Sequence, residues 1–177
     1  MASSTSRGPA IEELAARFRL VLLDNRGSGR SDPPPQTVKI ADMVRDVVAV
    51  LDDAGIAQTS VLGAGLGGIV AQELAVLHPE RVSRLVLACT TPGWPFAFPM
   101  PAASALLMGA LRNLPPETAR RSLAENALSP QTLREHPELA ERLIEHQRSW
   151  PVEARTLSAQ ALAGQVCGSG RPVALCG

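Results

Sequence analysis

The stretch TSVLGAGLGGIVAQELA, residues 59–75, dictates a local geometry of its own. An apolar run with strand-forming residues leads into Gly63, Gly65, Gly67 and Gly68, and the chain then continues as IVAQELAVL without glycine or proline. Strand signals before the glycines and helix signals after them predict a sharp strand-to-helix turn. Gly63, Gly65 and Gly68 also satisfy GxGxxG in that setting, the pattern of a dinucleotide fingerprint, where backbone N–H groups and a helix dipole face a pyrophosphate.

That fingerprint needs an acidic residue about 20 positions on to hold a ribose hydroxyl. No acidic residue occurs between Glu80 and Glu117, and the glycine turn is preceded by an earlier strand and helix rather than opening the domain. A P-loop fails more simply, because Lys39 is the only lysine and no GxxxxGK exists. The same residues fit a second pattern, the nucleophile elbow GxSxG, in which small neighbours let the backbone bend and project a serine oxygen. In GAGLG, residues 63–67, both outer glycines are in register and Gly65 stands at the serine position.

Apolar and amphipathic segments alternate through the first half of the chain. Residues 11–17 end a helix, RLVLLD at 19–24 fits a buried strand, and Ala41, Val44, Val48 and Leu51 recur at helical spacing until Gly55. A strand near 60–63, the glycine turn with its helix, and a strand at 84–89 complete the series. The class is α/β, with a parallel sheet covered by helices. TTPGWPFAFPMP then breaks the alternation, residues 102–164 read as helices without a strand, and PVALC at 172–176 reads as a returning strand. The expected organisation is a core over 1–93, a helical cap or lid over 94–164, and a return strand of the core within 165–177.

Seventeen basic and seventeen acidic residues cancel, which argues against a nucleic-acid partner. No apolar run reaches the roughly 18 residues of a membrane span, and MASSTSRGPA lacks the apolar stretch of a secretory signal, so a soluble, cytoplasmic protein is expected. Cys89, Cys167 and Cys176 form neither an even disulfide set nor a CxxC pair and read as reduced thiols. No metal or other cofactor is implied.

Three blocks in order carry a family resemblance. LLDNRGSGRSD at 22–32 is similar to a DxRGxGxS loop through Asp24, Arg26, Gly27, Gly29 and Ser31. GAGLG is similar to the elbow, and HPERVSRLVLACTTPG at 78–93 to the segment after the elbow helix. Together they resemble the α/β-hydrolase fold of the esterase and lactonase type, from about residue 11 to about residue 110 and more loosely beyond. The resemblance implies a partial α/β-hydrolase sheet flanked by helices with a helical cap insertion. It also implies that the family's strand between those corresponding to RLVLLD and TSVLG would precede residue 1. The two must then pair directly, leave unpaired edges, or receive a strand.

Acyl transfer in that family needs a nucleophile, a histidine, an acid that orients it, and two backbone N–H donors to the oxyanion. Gly65 offers no attacking atom, and no other GxSxG or GxCxG occurs. No aspartate follows Asp53, and the acid-bearing loop would begin where the chain ends. His78, His136 and His146 read as capping or surface residues. The Leu66 N–H is the oxyanion donor that the resemblance implies is kept, while the second donor would precede residue 1. Losing the nucleophile alone costs a serine hydrolase roughly a millionfold in turnover.

The expectation is therefore a relative of carboxylic ester or lactone hydrolases with impaired catalysis. The alternatives are a non-catalytic ligand-binding or interaction module completed by a second copy or a strand-donating chain, and a dinucleotide binder through Gly63, Gly65 and Gly68. The expected ligand is a small hydrophobic ester, lactone or acid. Trp94, Phe96, Phe98, Met100 and Met108 are candidates for its apolar pocket, with packing within the cap as the competing role. Arg26 and Arg30 read as structural loop residues, and Asp52 and Asp53, adjacent on a helix, do not face one another as an acid–base pair.

Overall fold

A computed structural model describes residues 9–32, 38–92 and 102–149, together with Thr156, Ala159, Gln160, Ala163 and Gly164. The chain divides into two units, one of Met1–Phe98 with Ala159–Gly177 and one of Pro99–Ser158.

The first unit begins with helix α1, Pro9–Ala15, and the glycine-rich loop that follows it. Helix α2, Ile40–Asp53, starts where the Lys39 N–H donates to the Asp42 carboxylate at 3.2 Å. It stops at Gly55, where Gly55 N–H donates to the Asp52 carbonyl at 3.0 Å and Ile56 N–H to the Leu51 carbonyl at 2.8 Å. These two bonds close a Schellman motif at the place the sequence marks with glycine. Strand β1, Thr59–Ala64, leads through the glycine turn into helix α3, Leu66–Leu77, and a short 3-10 turn, Pro79–Arg81, delivers strand β2, Val82–Ala88.

Strands β1 and β2 pair in parallel, with Ser60 opposite Arg84, Leu62 opposite Val86 and Ala64 opposite Ala88. Helix α3 connects them and packs on the sheet, and α2 packs on α3. One core results, in which Ile40, Met43 and Val44 of α2 meet Val70 and Leu74 of α3, with Val38 and Ala163, while Val61 and Val82 close it from the sheet. Period-2 alternation sends the intervening residues to the other face, where Leu62 is 60% and Val86 52% exposed.

RLVLLD departs from the expectation of a buried strand. Residues 19–25 are neither helix nor strand, and Phe18, Val21 and Leu22 are exposed. A strand is stable only when its N–H and C=O groups meet a ladder partner in register. Among the described residues β1 pairs with β2 alone, so residues 19–24 and β1 do not pair directly.

The second unit is helical among its described residues, as the sequence predicts, with α4, Ala102–Ala110, α5, Pro116–Asn126, α6, Pro130–Glu135, and α7, Pro137–Ser149. Helices α5 and α6 each pack on α7, and the buried residues include Ala124, Ala140 and Ile144. Ser129 caps α6 by accepting from the Thr132 N–H at 3.0 Å. Arg148 of α7 reaches Glu117 of α5 at 2.8 Å, and Arg121 reaches Glu141 at 3.0 Å. No helix among the described residues is long and apolar enough to cross a membrane.

Candidate active site

The turn between β1 and α3 places Gly65 alone at its apex, with φ 54° and ψ −122°, a left-handed conformation that a side chain resists. Among the described residues, a Cβ built on Gly65 would meet nothing within 4 Å. Gly63 and Gly68 have internal reasons for being bare. A Cβ on Gly63 would lie 2.4 Å from the Gly67 carbonyl oxygen, and one on Gly68 would lie 2.5 Å from Thr90. Gly63 and Gly68 thus lack side chains because the start of α3 and Thr90 occupy that space. Of Gly63, Gly65 and Gly68, Gly65 is the one whose Cβ would meet no described atom.

Hydrogen bonds on both sides of the apex hold it to the end of β2. The Gly65 N–H donates to the Ala88 carbonyl at 3.0 Å, and the Gly65 carbonyl accepts from the Gly68 N–H at 3.0 Å and from the Thr90 hydroxyl at 2.7 Å. Cys89, with φ 47°, bends the chain between those two partners, and its thiol is free and exposed. The Gln72 amide donates to the Gly68 carbonyl at 3.2 Å and to the Thr91 carbonyl at 3.0 Å, tying the first turns of α3 to the same segment. Leu66 is the first residue of α3, so its N–H has no acceptor within the helix.

Asp24 is the hub of the glycine-rich loop. Its buried carboxylate accepts from the Arg30 N–H at 3.3 Å, its carbonyl accepts from the Ser31 hydroxyl at 2.7 Å, and a Cβ on Gly29 would strike it at 2.4 Å. Arg26 grips Asp46 of α2 through two hydrogen bonds of 2.8 and 2.7 Å, and this carboxylate raises the guanidinium pKa against the opposing effect of burial. Asn25, also buried, directs its amide at the Met43 sulfur at 3.7 Å. Gln160, far along the chain, donates to the Arg26 carbonyl at 3.1 Å and the Ser28 hydroxyl at 3.0 Å. The loop is built from internal partners, the structural role read from the sequence for Arg26.

The histidines stand apart from the apex or belong to the other unit. His78 caps α3 at the end opposite Gly65, about 18 Å away along a 12-residue helix, and lies 3.5 Å from Glu80. His136 caps α6 beside Glu138 at 3.1 Å, and His146 lies in the last turn of α7. Asp52 pairs with Arg81 at 2.7 Å and Asp53 is exposed, so the two adjacent carboxylates share no site. Trp94, Phe96, Phe98 and Met100 lie outside the described residues, as do Cys167, Cys176 and residues 172–176; Met108 lies on α4, with its side chain outside the description.

An open cavity of about 740 Å³ is lined by residues 55–58 with Asp52, Glu80 and Arg81. These residues precede the first residues of β1 and β2, whereas parallel α/β sheets bind ligands beyond the carboxyl ends of their strands. Arg81 is already spent there, donating to the Asp52 carboxylate at 2.7 Å and to the Ala57 and Ile56 carbonyls at 2.8 and 2.9 Å. The chemistry points to the other end, where Gly65 and Leu66 follow β1. Sequence reasoning missed Thr90, Gln72 and Gln160, because no spacing rule marks a hydroxyl or amide whose partner lies 19 to 134 residues away.

The profile of the alpha/beta hydrolase fold matches residues 3–160. RutD of Azorhizobium caulinodans, whose name assigns it provisionally as a carbamate hydrolase, is 44% identical over 79 residues, 45% of this chain and 30% of RutD. A hydrolase from Pseudomonas aeruginosa superposes with a TM-score of 0.73 at 26% identity, covering 89% of this chain and 58% of the hydrolase. Est816, an N-acyl homoserine lactone degrading enzyme, superposes at 0.56 with 30% identity over 79% of this chain and 51% of its own. The match thus spans about a third of the RutD relative and little more than half of each solved chain.

Proposed function

Because the chain belongs to the alpha/beta hydrolase fold family, we propose that it is a member related to carboxylic ester and lactone hydrolases whose acyl transfer is impaired at the nucleophile. One observation carries this reading: the apex of the strand-to-helix turn has the left-handed geometry of a nucleophile elbow and, among the described residues, open space at its Cβ position, yet it holds Gly65. The Cβ of a serine would meet no described atom there. The absence of a serine oxygen removes the covalent step, which begins with attack by an oxygen on a carbonyl carbon.

The Leu66 N–H at the start of α3 would serve as one oxyanion donor. Within the 177 residues no aspartate follows Asp53, and His78 lies at the far end of α3. The names of RutD and Est816 favour a small compound with an ester-like carbonyl as the ligand class. With p-nitrophenyl butyrate, the purified chain is expected to release nitrophenol no faster than its heat-denatured control. Turnover abolished by denaturation, or a covalent acyl adduct detected by mass spectrometry, would overturn the proposal.

A second reading, binding without turnover, is favoured by the opening over Gly65 beside an amide that has no helical acceptor. It predicts saturable binding of butyrate or a small lactone with perturbation of the Leu66 amide. A dinucleotide site draws less support, since Gly63 and Gly68 are bare for reasons internal to the fold.

A further inference from the structure

We infer that Thr90 is a positioning residue for the Leu66 amide. The Gly65 carbonyl and the Leu66 N–H are two ends of one planar peptide unit, and in a trans peptide they point in opposite directions. Whatever fixes the carbonyl therefore aims the N–H. The carbonyl oxygen has two lone pairs, and both are engaged, one by the Gly68 N–H at 3.0 Å and one by the Thr90 hydroxyl at 2.7 Å.

Of these two anchors, only Thr90 comes from outside the turn. The Gly68 bond is local to the first turn of α3 and would accompany any helix start. Thr90 arrives from beyond β2, so it ties the peptide plane to the sheet. Its side chain is held close to the helix, since a Cβ on Gly68 would approach Thr90 Cβ and Oγ1 to 2.5 Å. The bare position at 68 and the threonine at 90 thus form a complementary pair. A hydrogen bond to the carbonyl also polarises the amide, which strengthens the Leu66 N–H as a donor. Gly65 alone would leave this peptide freer than any other residue at the apex.

The inference rests on the proposed role of the Leu66 amide, and the experiment separates the two. The isotope-labelled chain is followed by NMR at the Gly65 carbonyl carbon and the Leu66 amide, with butyrate as the probe. Thr90→Val removes the hydroxyl and keeps the shape. It is expected to shift the Gly65 carbonyl resonance, increase Leu66 amide exchange, and weaken butyrate binding about five- to tenfold, the effect of one lost hydrogen bond. Thr90→Ser should retain the wild-type carbonyl resonance and bind within about twofold, also within the strength of that bond.

If Thr90→Val fails to fold, Thr90→Ala against Thr90→Ser isolates the same hydroxyl. Unchanged Gly65 and Leu66 resonances in the variant lacking the hydroxyl would overturn the inference. If those resonances move but butyrate perturbs Leu66 in neither protein, Thr90 keeps its positioning role and the ligand reading fails instead.

Discussion

A methyl group on Gly63 would lie 2.4 Å from the carbonyl oxygen of Gly67, inside any tolerated contact, because the end of strand β1 and the first turn of α3 meet with no room between them. The obstacle is backbone, which cannot rotate away as a side chain would. The closeness of this crossing makes the bend sharp enough to isolate Gly65 at its apex.

Substitutions at the two glycines should therefore differ in kind. Gly63→Ala is expected to cost about 3 kcal/mol or more through backbone displacement, whereas Gly65→Ala, with open space but φ 54°, should cost about 1 to 2 kcal/mol of conformational strain. Urea denaturation of the two variants checks this. Equal losses would show that the crossing relaxes more easily than its geometry indicates.

In the glycine-rich loop, Gly29→Ala should destabilise the first unit by about 2 to 3 kcal/mol, since φ 57° and a Cβ 2.4 Å from the Asp24 carboxylate act together. Trimming Asp24 to Ala relieves only the second problem. The double variant Asp24→Ala/Gly29→Ala should thus be less damaged than the sum of the single variants, a coupling measurable by a thermodynamic cycle.

Arg26→Lys should cost about 1 kcal/mol in chemical denaturation, because an ammonium cannot make the paired contacts of 2.8 and 2.7 Å with Asp46 while also reaching the Asp42 carbonyl at 3.2 Å. The Asp46→Asn variant should remove most of the difference between Arg and Lys at position 26. A full loss of folding would mean that the contact does more than anchor the loop.

Glu117 links α5 to α7, and its pKa lies below the usual 4.5 chiefly because Arg148 hydrogen-bonds to its carboxylate, with Arg120 adding to the effect. A carboxyl group with a depressed folded-state pKa contributes stability above its unfolded pKa and loses it as pH falls through the folded one. The pair is exposed, so the melting temperature of Glu117→Gln should fall below wild type by only about 1 to 2 °C near neutral pH. That gap should close on titration below the ordinary carboxylate pKa. A gap that widened in acid would reverse the sign of the argument.

The helices, the turn and the α/β class were legible in the sequence because each depends on contacts near in the chain. Helical spacing and Gly55 defined α2, and the glycines of GAGLGG defined the bend. Gly65 at the apex of that bend was legible for the same reason: the local glycine spacing marks the residue that takes the positive φ of 54°. RLVLLD shows the limit. Its composition is that of a buried strand, but a strand exists only with a neighbour to accept its hydrogen bonds, and residues 19–25 form none of this ladder. Likewise, only the tertiary structure decided that Thr90 fills the space beside Gly68 and holds the Gly65 carbonyl, or that Gln160 closes the loop of residues 24–32. Those contacts join segments 22 to 134 residues apart, where packing in three dimensions, and no periodicity along the chain, selects the partners.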